Sequence, residues 1–293
     1  MIQKIIPPTS KPKNTLLKLL FFGVGAFLLL LSGSPFAVQV NLINNGSFDS
    51  TASSVTGSTK ISSGSTNLTG WTIGAGRGNG YTFLAYPGTA GTSINGTNGI
   101  RLWDAGNGGL NTIPATSPNG GKFIVSDGAY QLTTLYQTVS GLTVGQLYQL
   151  NFYQAAAQQT GFYGDTMSHW KVSFGGSLTN TNSIRLPNGQ FYTNNTQVIT
   201  GGQSQYSRVM NNKSKGFTPW ESQTMTFRAT AQSELIGFLA LGGPLGQPPF
   251  SLIDGISLTE QVPEPSSILL LVLGGVAFAF LRRRERAKII ANV

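Results

Sequence analysis

The sequence predicts an all-β protein, a single β-sandwich held between two hydrophobic end segments. Three observations carry that prediction. Apolar side chains in the middle of the chain recur with period two, the mark of half-buried strands, and no long segment between the two ends shows the helical period. Glycine occurs 38 times and charged residues make up only 10% of 293 residues, a balance suited to many turns. Apolar residues still reach 40%, enough for a core, and the roughly 220 residues between the ends match one large all-β domain.

Residues 1–37 read as a secretory signal peptide. Lys4, Lys11, Lys13 and Lys18 accompany the apolar run Leu16 to Leu31, and the small residues Ser32-Gly33-Ser34 follow, with cleavage expected after Ala37. An uncleaved amino-terminal anchor is the alternative. At the other end, Val262-Pro263-Glu264-Pro265 runs into the apolar segment 266–281 and then Arg282, Arg283, Arg284 and Arg286. About 16 residues at about 1.5 Å each span about 24 Å, short of the roughly 30 Å hydrocarbon core. The segment therefore reads as a transmembrane helix suited to temporary anchoring. The arginines form a basic stop on the cytoplasmic side, so the residues before Pro263 are exported.

This order of motif, short apolar helix and arginine cluster resembles the tails of bacterial PEP-CTERM proteins. The resemblance implies cutting near Pro263-Glu264-Pro265 by an exosortase, a membrane transpeptidase with a cysteine nucleophile. The ectodomain would then be released or re-anchored at the cell surface or in the extracellular matrix. A plain single-span anchor is the alternative.

The formal charge of +9 belongs to the ends: between Val38 and Glu260 there are ten Lys and Arg against eight Asp and Glu, a net +2. The basic pI thus reports membrane topology and excludes nucleic acid as a partner, which needs basic residues clustered on the folded domain. Cysteine is absent, so neither a disulfide nor a thiolate nucleophile or ligand is available.

Taken in order, Val40 to Phe48 reads as a strand closed by an Asn45-Gly46 turn, followed by a Ser/Thr-rich loop reaching Gly70-Trp71. Glycines 74, 76, 78 and 80 alternate strictly, with no apolar strand leading into a helix, so they form a loop rather than a dinucleotide fingerprint. Tyr148, Leu150 and Phe152 alternate with polar residues, as do Trp170, Val172 and Phe174, and Met225, Phe227 and Ala229. Each set marks a sandwich strand. Leu235 to Leu241 is apolar on both faces and belongs in the middle of a covered sheet. Residues 178–214 are polar and rich in Asn, Gly and Gln, and read as a long loop or hairpin insertion.

The stretches 45–49 with Gly70-Trp71, 136–148 and 252–258 together resemble galactose-binding-like jelly rolls, the fold of many carbohydrate-binding modules. The resemblance implies a jelly-roll ectodomain over residues 38–260 that binds extracellular polysaccharide.

Catalytic chemistry finds little support. There is no Gly-x-Ser-x-Gly elbow, and His169 is the single histidine, so a triad and a tetrahedral zinc site both lack their parts. A non-enzymatic protein is expected. The alternative is a glycan-active hydrolase pairing two carboxylates drawn from Asp104, Asp127, Asp165 and Glu221.

Asp254 is the most informative acid. Strand alternation over 252–258 places it on the face of Leu252, Ile256 and Leu258, where a carboxylate needs a partner. The carbohydrate-binding resemblance implies a structural Ca²⁺ held by Asp254 with Asn45 and Asp49; backbone N–H groups or an arginine are the alternatives. For glycan contacts the candidates are Trp103 with Asp104, and Tyr163 with Asp165, because sugar C–H faces stack on aromatic rings while hydroxyls need directional partners.

Overall fold

The computed structural model describes residues 39–96, 99–261 and 267–290, and side chains of the last segment over 273–284. The expected signal segment and the Pro263-Glu264-Pro265 motif lie outside the described residues.

The strands in chain order are β1 (Thr59–Lys60), β2 (Thr72–Ile73), β3 (Thr82–Ala85), β4 (Phe123–Asp127), β5 (Thr134–Ser140), β6 (Leu147–Gln158), β7 (Thr166–Phe174) and β8 (Ser177–Thr181). They continue as β9 (Ile184–Arg185), β10 (Phe191–Tyr192), β11 (Thr196–Thr200), β12 (Gln203–Tyr206), β13 (Met210–Asn212), β14 (Phe217–Arg228), β15 (Ser233–Gly243) and β16 (Pro249–Glu260). Two six-stranded antiparallel sheets and two two-stranded pairs, β8–β11 and β9–β10, result. The first has the order β1-β3-β4-β16-β6-β14, and the second β12-β7-β15-β5-β2, with β13 also pairing β7.

The sheets face each other across the main core. Tyr148, Leu150 and Phe152 from β6 and Ile253 from β16 meet Trp170, Val172 and Phe174 from β7 and Ile236, Phe238 and Ala240 from β15. Trp170 also donates its indole N–H to the Leu252 carbonyl of the opposite sheet at 3.2 Å. Burying these side chains drives the assembly at about 1.5–3 kcal/mol each. The alternation in the sequence therefore reports faces correctly on the longest strands. β15 sits between β7 and β5, with Leu239 and Leu241 buried on its far side, as its doubly apolar sequence requires.

A second cluster lies on the outer face of the first sheet. There Phe83, Phe123, Val125, Ala155, Ala157, Phe250 and Leu252 are covered by Ala90, Ile94, Leu102 and Ile113 of the β3–β4 connection.

Two local expectations are corrected. Of the two readings of residues 178–214 the hairpin insertion holds and the loop does not: β8 pairs β11, β9 pairs β10, and β12 and β13 extend the second sheet along β7. Leu186, Tyr192 and Val198 anchor this insertion on the outer face of β15, whereas its remaining side chains are mostly polar and hide the pattern. The segment from Val40 forms no strand. The Leu42 N–H reaches the Leu258 carbonyl at 2.9 Å, but the returning bond goes from the Leu258 N–H to the Asn41 side-chain oxygen, so a side chain replaces the backbone acceptor that a ladder requires.

In the tail, α1 spans Ser267–Ile290. Among the described residues no helix is long and apolar enough to cross a membrane. The apolar stretch ends at Leu281, and extending the helix adds Arg282, Arg283 and Arg284 instead of apolar length.

Candidate functional site

Asp254 is fully buried near the place where the first loop of the sandwich meets its last strand, β16. Its neighbour Gly255 has φ +63°, a left-handed conformation that glycine adopts without strain, and the β16–β6 register shifts between Asp254 and Ser257. That β-bulge flips the alternation. Asp254 opposes Tyr153 and keeps the parity of Leu252 on the outer face, whereas Ile256 and Leu258 turn into the main core with Ile253. The sequence expectation that Asp254 shares a face with Ile256 and Leu258 is thereby corrected.

One oxygen of Asp254, Oδ2, accepts from the Ser117 hydroxyl, and the other, Oδ1, has no protein partner. Burial pushes its pKa up to about 7; Ser117, the Gly255 N–H and the Asn119 side chain oppose that rise, and the charge of Asp49 adds to it. The 117–122 turn connects the two acids: Ser117 serves Asp254, and the Lys122 N–H donates to Asp49 Oδ1 at 3.0 Å. Asn45 is engaged elsewhere. Its amide donates to the carbonyls of Ser50 and Thr69, its Oδ1 accepts from the Ser50 N–H, and its own carbonyl accepts from the Trp71 indole, all at 2.9 Å. Asp49 and Asp254 are thus in electrostatic reach of each other, while the side chain of Asn45 pins the first loop. Among the described residues no group of three or more His, Asp or Glu side chains is placed to hold a metal, so further oxygens would have to come from the main chain.

The expected sugar platform is arranged differently. Trp103 is 8% exposed, its ring lies 5.8 Å from that of Tyr163, and the Lys215 ammonium covers both rings at 5.1 and 5.4 Å. Trp103 is thereby mostly covered, whereas Tyr163 stays 58% exposed. Asp104 caps the 3-10 turn Ala105–Asn107, accepting from Gly106 N–H and Ile113 N–H with its two oxygens. Asp165 pairs with Lys213 at 2.7 Å at the surface, and both exchange most of their charge interaction with solvent.

A different pocket stands at one end of the first sheet. A cavity of about 290 Å³ is lined by Tyr81, Asp127, Tyr130, Gln159, Phe162 and Pro248, among others. Asp127 ends β4 and is 1% exposed; its Oδ1 accepts from Ala129 N–H at 2.8 Å and Tyr130 N–H at 3.1 Å, while Oδ2 has no partner. Burial pushes this carboxyl up to about 7 against those two bonds, and Tyr81 up to about 12 through burial and the nearby Asp127 charge. Tyr81 and Tyr130 meet edge to face at 5.3 Å, and the Phe162 carbonyl is fixed by the Trp103 indole N–H at 2.9 Å. The sequence offered Asp127 only as one of four carboxylates for a hydrolytic pair. The Asp-Gly-Ala-Tyr turn that follows β4 was the available local signal.

Comparison with known proteins decides the nature of the tail. Residues 261–284 match the PEP-CTERM protein-sorting motif. The tail is a PEP-CTERM sorting segment. No curated protein matches the chain. Similar solved structures include TmCBM61 in complex with β-1,4-galactotriose, at 10% identity and a TM-score of 0.37, covering 76% of this chain and 99% of that one. Another is a structure described under "CBM4 structure and function", at 12% identity and 0.32, covering 75% and 99%. A third is a sugar-binding protein, so described, from Bacteroides thetaiotaomicron VPI-5482, at 17% and 0.31, covering 76% and 100%. The sandwich in front of the PEP-CTERM segment is established by its own strand pairing.

The remaining acids of that sandwich are held apart in separate interactions. Glu221 pairs with Arg208 and accepts from the Gln154 amide at 2.7 Å, Asp104 is a cap, and Asp165 is a surface ion pair. His169 lies within β7 and not in a loop; it is nearly buried against Tyr206, its Nδ1 has no partner, and burial lowers its pKa.

Proposed function

We propose that this is an exported protein of the bacterial cell surface or matrix, processed by an exosortase and carrying a jelly-roll sandwich that binds polysaccharide without cleaving it. The match of residues 261–284 to the sorting motif carries the first half. The helix that follows the motif serves as a transient anchor, because its apolar part is about 22 Å long at 1.5 Å per residue, shorter than a permanent span. Mass spectrometry of the surface fraction should find chains ending near Pro265. Recovery there of peptides containing Arg282 to Lys288 would show an ordinary anchor instead.

The pocket beside Asp127 supports the second half. Aromatic walls with a few convergent polar atoms suit a sugar residue, and at about 290 Å³ the cavity lies at the lower edge of the roughly 300–1,000 Å³ typical of small-molecule sites. A glycan array probed with the full chain in detergent should give a restricted set of positives. Release of reducing ends from any bound glycan would place the protein among hydrolases.

Structural Ca²⁺ fits the Asp254 region. A buried carboxylate oxygen without a partner and an exposed acid beside it are hard donors, and a cation between them would tie the first loop to the last strand. Asp254 and Asp49 would hold it, with main-chain carbonyls completing the shell.

A further inference from the structure

We infer that the pocket around Asp127 takes a sugar residue bearing a free amino group, with its ammonium seated against Asp127 Oδ2. This rests on the glycan-binding reading and narrows it to a substrate class. Three observations carry it.

The pocket holds one buried acceptor that the protein leaves unserved: Oδ2 of the lining residue Asp127 is unpartnered. A ligand that donates a hydrogen bond completes it, and one that only accepts leaves it stranded.

Among the described residues no cation forms an ion pair or hydrogen bond with Asp127. Its partners are the two N–H groups on Oδ1, and the titratable groups that face it are the phenols Tyr81 before β3, Tyr130 after β4 and Tyr192 of β10; behind them, Lys60 sits over the Tyr81 ring at 5.9 Å and Arg77 acts on Tyr192. A sugar hydroxyl would satisfy Oδ2 yet leave a desolvated negative charge unpaired, whereas an ammonium satisfies both needs.

The walls suit the same group. Tyr81, Tyr130 and Phe162 surround the opening, and the negative faces of aromatic rings attract a desolvated cation as well as the C–H face of a sugar. The volume admits one sugar residue, so recognition falls on a single unit of a chain.

The test uses three β-1,4-linked hexasaccharides that differ only at carbon 2: glucosamine, N-acetylglucosamine and glucose. Calorimetry on the full chain in detergent near neutral pH should show the glucosamine hexamer binding about tenfold tighter than the glucose hexamer, the scale of one desolvated cation contact. Asp127→Asn keeps the shape and removes the charge, and should erase that preference; Tyr130→Ala, at a half-exposed wall, should weaken the amine form most. The glucosamine preference should be bell-shaped in pH with its maximum close to neutrality, because Asp127 ionises near 7 while the amino group of glucosamine loses its proton in the same range. Equal or tighter binding of the glucose hexamer, or a preference that survives Asp127→Asn, overturns the inference. In either case glycan binding itself still stands. Failure of all three hexamers together with a blank glycan array removes both readings.

Discussion

Chelating calcium from the full chain at pH 8 should lower its melting temperature, and the same treatment at pH 5 should change it far less. The reason lies in Asp254. Its folded-state pKa is raised from 3.8 to about 7, and that of Asp127 likewise, so across that window the native state binds more protons than the unfolded chain. Stability from these groups is therefore present in full below pH 4 and declines as pH rises through 7, by on the order of 4 kcal/mol for each group. A cation reverses the Asp254 share, because Ca²⁺ binds the ionised carboxylate and adds RT ln(1 + [L]/Kd) to the stability of the native state. Mg²⁺ should do less, since it demands a tighter octahedral shell and gives up water reluctantly. Asp254→Asn should abolish the calcium increment and about half of the decline between pH 5 and 8, while Asp127→Asn removes the other half and leaves the calcium effect intact. Melting curves at pH 8 that ignore both Ca²⁺ and chelator would mean that Asp254 is satisfied by protein groups alone.

Gly46→Ala should destabilise the sandwich by about 3 kcal/mol or more, at the upper end of what overpacking costs. A Cβ at Gly46 would stand 1.9 Å from the carbonyl oxygen of Ile256 and 2.9 Å from its carbon, both main-chain atoms that no rotamer change can move aside. The contact is an integral joint of the fold: the Ile256 N–H donates to the Gly46 carbonyl at 3.0 Å, just past the bulge at Gly255. Relieving the clash separates the first loop from the last strand. A loss of that size corresponds to roughly 6–12 °C in melting temperature for a domain of this size. Gly57→Ala is the matched control, with nothing within 4 Å of its added carbon, and should melt within about 1 °C of the parent. Equal melting of the two variants would show that the close approach of Gly46 to β16 is not required.

The legible and illegible parts of this protein divide along a physical line. β6, β7 and β14 could be read from alternation because each is a long strand with one face in the main core, so every second residue answers to the same solvent condition, and β15 from its unbroken apolar run, which is covered on both faces. The tail could be read because a membrane imposes one-dimensional rules of length and charge. The strand proposed at Val40 failed because Asn41 supplies by side chain a bond that strand periodicity assigns to the backbone. The individual strands of the insertion at 178–214 were not legible because only a few of its side chains meet the core, too few to show a period.

The sequence by itself determined the sandwich class, the central place of β15, and the order of motif, helix and arginines at the carboxyl end, since these depend on local periodicity and composition. Tertiary structure alone decided the sites. One extra residue at the Asp254–Ser257 bulge reverses facing, and a parity count along the strand cannot register it. Trp103 loses its free face to Lys215, more than a hundred positions away, and the Asp127 pocket joins residues 81, 127–130, 159–162 and 246–248 from four connections. Which side chains share a cavity is set by how sheet ends converge in space, and sequence distance carries no information about that.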